Sequence, residues 1–408
     1  MTRTTTITAT YRIVTPMFCA GADQKSAELR LPSFKGALRF WWRSLMWGKV
    51  ENHSKLRRRE AELFGASDTK TGQSKVRLRI TRKGLGTIER PPAIFEDGRL
   101  SGAHYLGYGV MEAFPSKNKG TKAGQLTRGM LSGGTFAVEC RFSAHTAGEQ
   151  IDEVQRSLIL LGTVGGLGSK SRKGFGSLTL TELAVNGKPI EFQPNPSDRL
   201  KTTIDDLPSV CPEWTAWCSL ARIVVAHASN ATRPVQLLDR IGREQVHFRS
   251  WGRNGTVLGE PSEQNFQLDH HLSKGQSVSI DYPLRVAFGL PHNYGKGTKN
   301  SVQPARNDRR ASPLFIHFDQ PTENQAATAV LVFLPSTFLP SGEKLRVFGN
   351  DVTIRNDDEF WFPVHAFLDR LVSDGAEPKS RPGYDNFPNE SQWWQKKTLI
   401  SAKEVSLG

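Results

Sequence analysis

The sequence predicts an α+β protein built from two domains, and three observations carry that expectation. The chain has 408 residues, more than one ordinary domain of about 100–200 residues uses. Runs rich in Val, Ile and Thr alternate with helical stretches, in the order strand, helix, strands, helix, strand over the first half. The charge is also divided: residues 1–200 hold 31 Lys/Arg against 17 Asp/Glu, whereas residues 201–408 hold 23 against 23. The whole formal surplus of +14 therefore lies in the first half. Solubility gives no reason for such a division, but a polyanion-binding surface does, with nucleic acid the leading partner. A hydrophobic content of 37% supports real cores and excludes a disordered chain. No run approaches the roughly 20 apolar residues of a membrane helix. Met1–Thr6 is polar, unlike a signal peptide, and four cysteines do not make a disulfide scaffold. A cytoplasmic protein without a membrane partner is expected.

The elements follow in order. Thr4–Pro16 reads as a strand, and Cys19–Gln24 as a Gly-containing loop. A helix is predicted over Phe34–Met46, with Ser33 as its N-cap. Val76–Ile80 alternates apolar and basic residues, as in a half-exposed strand. Residues 84–134, rich in Gly, Pro, Ser and Lys, read as long loops with short strands. Phe136–Phe142 is a strand, Gln150–Leu161 a helix, and Ser177–Val185 a strand behind a glycine-rich loop. This order is that of a ferredoxin-like domain with insertions. Asn195–Asp198 reads as a linker, which divides the chain into 1–195 and 196–408. Beyond it, Trp214–Ala228 and Val235–Trp251 read as helices. Tyr282–Leu290, Leu314–Phe318 and Ala329–Leu334 read as strands. Glu359–Leu371 is helical, started or kinked at Pro363. Each half has a Gly-rich basic loop beside a strand, compatible with two distant copies of one plan.

Two motifs bear on function. In the first helix Lys35, Arg39 and Arg43 recur every four residues, within about 80° of one another at ~100° per residue. Phe34, Leu38, Trp41 and Leu45 take the opposite side, and Trp41 and Trp42 read as core. The cationic face suits phosphates, and Lys35 lies in the first turn, where the helix dipole favours an anion; a merely solvated face fits the same pattern. The second motif, Gly162–Ser177, holds six glycines with Lys170, Arg172 and Lys173. Its glycines allow close backbone approach to a ligand, its cations suit phosphates, and Phe175 could stack on a base. Helix, loop, strand is the reverse of a nucleotide-binding order, and the Gly-Lys-Ser/Thr triplet is missing, so ATP is not expected. A third basic stretch runs from Phe288 to Lys299 and on through Arg309 and Arg310 to Leu314.

Thr15-Pro16-Met17-Phe18, Gly21-Ala22-Asp23-Gln24 and Glu28-Leu29-Arg30-Leu31-Pro32-Ser33-Phe34-Lys35-Gly36-Ala37-Leu38-Arg39-Phe40-Trp41-Trp42-Arg43 closely resemble the RAMP proteins of type III CRISPR systems. Within them the run is most similar to the first subunit of the type III-B (Cmr) effector complex. Gly165–Gly176 resembles the RAMP glycine-rich loop, and Phe288–Pro291 and Arg309–Leu314 resemble signatures of that subunit's second RAMP domain. The resemblance implies two ferredoxin-like RAMP domains, 1–195 basic and RNA-facing and 196–408 with added helices. It implies a non-catalytic subunit that engages the 3′ region of the guide RNA, the target RNA and other RAMP subunits in antiviral defence. The RNA contacts it implies are Lys35, Arg39, Arg43, Lys170, Arg172, Lys173, Arg309 and Arg310.

The alternative is a RAMP endoribonuclease acting on guide precursor or target RNA. Metal-independent cleavage needs a general base and a cation for the developing charge. His104 and His292 are the histidine candidates, and neither sits in a signature; Asp23 lies in a loop after the first strand, broadly similar to the one from which related backbone subunits supply a catalytic Asp, and a loop-shaping or subunit-contact role fits it as well. Asp269-His270-His271 lacks a partner motif, and Cys211 and Cys218 lack the Cys-x-x-Cys spacing of zinc sites. No metal, cofactor or catalytic residue is expected.

Overall fold

The computed structural model describes residues 4–23, 26–67, 72–88, 102–112, 120–121, 125–252, 254–294, 300–387 and 392–407. Strand β1 (Thr6–Ile13) buries Ile7, Ala9, Tyr11 and Ile13 at period two. Helix α1 (Leu31–Val50) starts before the expected Phe34. Pro32 pre-sets its first turn, Arg30 is the N-cap without a side-chain bond, and Ser33 falls inside the helix. Helix α2 (His53–Phe64) follows, its Asn52 cap accepting from the Lys55 amide at 3.0 Å. Strands β2 (Val76–Ile88) and β3 (Met130–Phe142) pair antiparallel along their lengths, with helix α3 (Gly102–Leu106) in the intervening stretch. Helix α4 (Gly148–Leu161) and strands β4 (Leu178–Val185) and β5 (Lys188–Pro189) complete the first half. The sheet order β2-β3-β1-β4-β5 is antiparallel throughout and is the ferredoxin-like order with one added edge strand.

Asn195–Asp198 is no free linker. It opens helix α5 (Pro196–Thr203), where the Asn195 side chain accepts from the Ser197 amide at 2.8 Å. The second half then repeats the plan with strand β6 (Arg222–His227) and helix α6 (Pro234–Arg249). A long insertion carries β7 (Thr256–Val257), β8 (Glu260–Pro261), α7 (Gln267–Ser273), β9 (His292–Asn293) and β10 (Ser301–Pro304). Strands β11 (Leu314–Asp319) and β12 (Thr328–Phe333) follow. A second insertion holds β13 (Leu345–Val347) and β14 (Asn350–Val352), before helix α8 (Phe362–Val372) and strand β15 (Ser401–Val405). The order β11-β12-β6-β15 matches that of the first sheet element for element, again all antiparallel.

Two further expectations fail for physical reasons. The helix expected over Trp214–Ala228 is irregular up to Ala221 and then becomes β6. Ile223 and Val225 join one core and Val224 and Ala226 the other, so both faces are buried and the run shows no strand periodicity. The strand expected over Tyr282–Leu290 is a 3₁₀ turn, Leu284–Phe288. Pro283 fixes its entry, and the Asp269 carboxylate accepts from the amides of Leu284 (2.6 Å) and Arg285 (3.1 Å). Residues 295–299 of the third basic stretch, and much of 84–134, lie outside the described residues.

The second sheet is a middle layer. Its Val224, Ala226, Leu331 and Phe333 pack with Leu237 and Ile241 of α6 and Phe367 and Leu371 of α8. Its Ile223, Val225, Val330 and Val332 join Trp41 of α1 and Leu178 and Leu180 of β4. The open edge of β11 is closed by the first half: the amides of Ile316, Phe318 and Gln320 donate to Arg172 O (3.1 Å), Ser177 Oγ (3.1 Å) and Thr179 Oγ1 (3.0 Å). Donors at every second residue are thereby satisfied, as an edge strand requires. Arg199 of α5 and Thr179 both bond the buried Asp319 carboxylate, at 2.8 and 2.9 Å. From the first half α3 crosses onto α6, where Gly102 and Gly242 touch backbone to backbone with no room for a Cβ.

Candidate nucleic-acid interface

Helices α1 and α2 wall an open groove of about 1410 Å³ on the first half. All three cations of the α1 face reach it, as do Arg57 and Arg58 of α2. Lys35 Nζ donates to the Phe64 carbonyl at the C-terminus of α2, at 2.8 Å. Burial and the neighbouring Arg39 charge hold its ammonium below the ordinary lysine range. Arg39 Nε and Arg43 Nη1 both donate to Glu60 Oε1, at 2.6 and 2.5 Å. Glu60 is only 5% exposed and stands on the inward stripe of α2 beside Leu56, Leu63 and Phe64. One carboxylate oxygen thus orients two guanidiniums that remain about a third exposed and neutralises one charge of the three. Arg58 leans on Glu62 at 3.6 Å from a 78% exposed position, an arrangement that holds a surface arginine only weakly.

The groove also has aromatic surface. Phe40, His53 and Trp214 line it, and the last packs on Trp47 and His53 with centroids 4.4 and 4.9 Å apart. Trp41 and Trp42 are buried as expected, Trp42 donating to Glu153 at 3.0 Å. The groove therefore combines backbone-seeking cations with flat apolar faces, the combination that single strands engage without sequence readout.

The glycine-rich loop has another role in the fold. Its close approaches are to the protein itself: Gly165 faces Trp41 and Leu161, Gly168 (φ +85°) faces the Phe18 carbonyl, and Gly174 (φ +87°) faces the Phe318 ring. Phe175 is fully buried and packs on Phe18 at 5.1 Å, so base stacking by this residue is ruled out in this fold. Arg172 donates to the Ser312 carbonyl at 2.8 Å and lies 4.5 Å over Phe315 and 5.3 Å over Phe40. Burial lowers it to about 10. Lys170, at φ +65°, stands beside Arg309 and Arg128. The Lys173 ammonium is buried without a hydrogen-bond partner. Arg309 is exposed, whereas Arg310 is engaged with the Phe338 carbonyl (2.6 Å) and Ser336 Oγ (2.7 Å).

The eight expected contacts therefore divide between two places, in three groups. Lys35, Arg39 and Arg43 come together in the groove. Lys170, Lys173 and Arg309 gather at the junction of the two halves. Arg172 and Arg310 are tied into that junction by carbonyls. Residues missed from the sequence are Arg57 and Arg58, signalled by the Arg57-Arg58-Arg59 run, and Arg128 and Arg249, which carry no local signal.

The candidate catalytic residues are placed otherwise. His104 is 3% exposed, and burial lowers its proton affinity. His292 is pushed well below the ordinary histidine range by burial and by Arg249, Arg285 and Lys173. Asp23 accepts from the Ser26 amide and hydroxyl, at 3.0 and 2.5 Å, shaping its own exposed loop. Asp269 is buried against Arg285 Nε at 2.9 Å, and His270 stacks on Trp251 at 4.4 Å. The four cysteines are free thiols, and burial pushes Cys211 up to about 12. Among the described residues no group of His, Cys, Asp and Glu could hold a metal, and no helix is long and apolar enough to cross a membrane.

The RAMP superfamily profile matches residues 10–179, which span β1 to the start of β4 with the groove and the glycine-rich loop. The CRISPR system Cmr subunit Cmr1-2 of Pyrococcus furiosus is 28% identical over 176 residues, 42% of this chain and 92% of the relative. The apo crystal structure of Cmr1 from Pyrococcus furiosus aligns over 88% of this chain and 96% of its own, with TM-score 0.51 and 19% identity. At that identity the likeness speaks for the fold, and it extends across both halves. A chain of a type III-B Cmr-beta complex bound to cognate target RNA aligns more loosely, over 90% of this chain and 100% of its own, with TM-score 0.46 and 11% identity.

Proposed function

From the RAMP superfamily match over residues 10–179 and the likeness to a Cmr subunit, we propose that the chain is a RAMP protein, a non-catalytic RNA-binding subunit of a type III-B (Cmr) CRISPR effector. It engages the 3′ region of the guide RNA together with the target RNA, beside other RAMP subunits, in cytoplasmic antiviral defence. Residues 1–195 form its RNA-facing domain, and 196–408 repeat the fold and serve mainly protein contacts. The observation that carries the reading is the groove between α1 and α2. Among the described residues, five cations from two helices line it, and Glu60 is the one carboxylate. A polyanion completes this balance. The likeness to a Cmr subunit of a CRISPR system supports RNA as that polyanion. Contacts of this kind position a backbone and read no sequence, which suits an assembly where base pairing carries the sequence. The burial of His104 and the turn-forming bonds of Asp23 speak for binding rather than cleavage.

The test is the salt dependence of single-stranded RNA binding. Each neutralised phosphate contributes about −0.7 to the slope of log K against log salt. The variant Lys35→Ala/Arg39→Ala/Arg43→Ala should flatten the slope by about 2 and weaken binding at low salt. Glu60→Gln, which frees both arginines, should steepen it. An unchanged slope in both variants removes the groove from the RNA path. RNA cleavage by the purified protein, lost in Asp23→Ala or His104→Ala, would replace the reading with the nuclease.

A further inference from the structure

Where the glycine-rich loop of the first half meets the insertion between α6 and β11 of the second, positive groups gather without a counter-ion among the described residues. Lys173 is fixed there by its backbone, which bridges to Ile316 of β11. Its ammonium nitrogen is buried, has no hydrogen-bond partner, and feels Arg249, Lys170 and Arg172, all of its own sign. Arg249 ends α6. Its guanidinium lies 4.4 Å over the Phe288 ring, its carbonyl accepts from Arg285 at 3.0 Å, and its buried Nε has no partner. His292 of β9 feels the charges of Lys173, Arg249 and Arg285. The carboxylate bonded to Arg285, Asp269, is saturated by two backbone amides and the Arg285 guanidinium. From the surface the exposed Arg309 leads inward past Lys170, whose other cationic neighbour, Arg128, donates to Ser169 Oγ at 2.7 Å and also keeps a buried, unpartnered Nε.

Buried like charges repel and have given up their water, so a fold keeps them only where something else favours them. These donors converge from two halves of the chain, on elements fixed by backbone hydrogen bonds. Their complement is a compact anion with several acceptor oxygens facing different ways, which a phosphate is and a carboxylate is not. We propose that Lys173, Arg249 and His292 form a phosphate site at the junction of the two halves, which takes one phosphodiester of the bound RNA backbone. The inference rests on the RNA-binding reading and extends it to the second half, whose net charge of zero hides the site. It also gives the junction a ligand-dependent stability, since RNA in the site would tie α6 and β9 to the glycine-rich loop.

Lys173→Met keeps the side chain's length and removes its charge. Two results are expected together: affinity for a single-stranded RNA decamer falls about tenfold to a hundredfold, the value of a charge-assisted contact, and the RNA-free protein melts higher, because an unpaired buried charge is gone. Arg249→Met, tested separately, should weaken RNA in the same way, and Lys173→Arg should retain binding. RNA should raise the melting temperature of the wild type more than that of Lys173→Met. Inorganic phosphate at matched ionic strength is the second arm: stabilisation of the wild type but not of Lys173→Met means that the site accepts a free phosphate group as well, and no effect confines it to the phosphodiester. Unchanged RNA affinity in both Met variants overturns the site. If the α1 triple variant still flattens the salt slope in that case, the groove stands and this site alone has failed. If instead the triple variant changes nothing while Lys173→Met weakens binding, the groove has failed and the junction stands.

Discussion

His317 shows how single residues are committed to the junction. Its Nδ1 lies 2.7 Å from the Gly165 carbonyl, where it donates, and its Nε2 is buried without a partner. Burial is the main cause that lowers this ring from 6.5 to about 3, with Arg199 adding to it. His365 is lowered to about 3 as well, by burial and by Arg222, whose Nη1 donates to its Nδ1 at 3.2 Å. Both rings are thus held neutral. Between pH 6.5 and 3 the unfolded chain binds protons at these rings that the folded chain does not. Stability is therefore complete above about pH 6.5 and falls as the pH drops toward 3. His317→Gln, whose amide can still donate to Gly165, should make the loss of melting temperature between pH 7 and 4 shallower than in the wild type. An acid limb as steep as that of the wild type would mean that the ring does not titrate as its burial requires.

At the scale of elements, the glycine-rich loop works as a closure for the β11 edge, and its glycines serve that closure. Gly174 sits at φ +87° with the Phe318 ring where a Cβ would go, whereas Gly187 sits at φ +77° with open space around it. An alanine at either position pays the left-handed conformation, about 1–2 kcal/mol, and only Gly174→Ala must also displace Phe318. In urea titrations Gly174→Ala should therefore lose clearly more stability than Gly187→Ala. Equal losses would show that the loop does not seal the edge. The elements also mark where the sequence could be read. Helix α1 was legible because its cations and its apolar residues each keep one face. Helix α2 was not, because its inward stripe includes Glu60. Strand β6 reads as helix in the sequence because a segment buried on both sides loses the alternation that identifies a strand. The glycines predicted a close approach, but the sequence does not say whether a ligand or the chain itself approaches.

At the scale of the molecule, the two ferredoxin-like halves share cores across the second sheet, so RNA bound at the groove and at the junction would lie on one continuous body. The charge division points to a cationic surface on the first half, and the groove lies there. The neutral second half alone gives no such pointer, because a net charge of zero averages over distance and Arg249 meets Lys173 only through the fold. The measurement that tests the central claim most directly is a map of RNA crosslinks on this chain within the assembled effector complex. Crosslinks concentrated on residues 35–58, with a second cluster around 170–173, are the predicted result. Crosslinks confined to surfaces remote from both, such as the β15 edge, would contradict it.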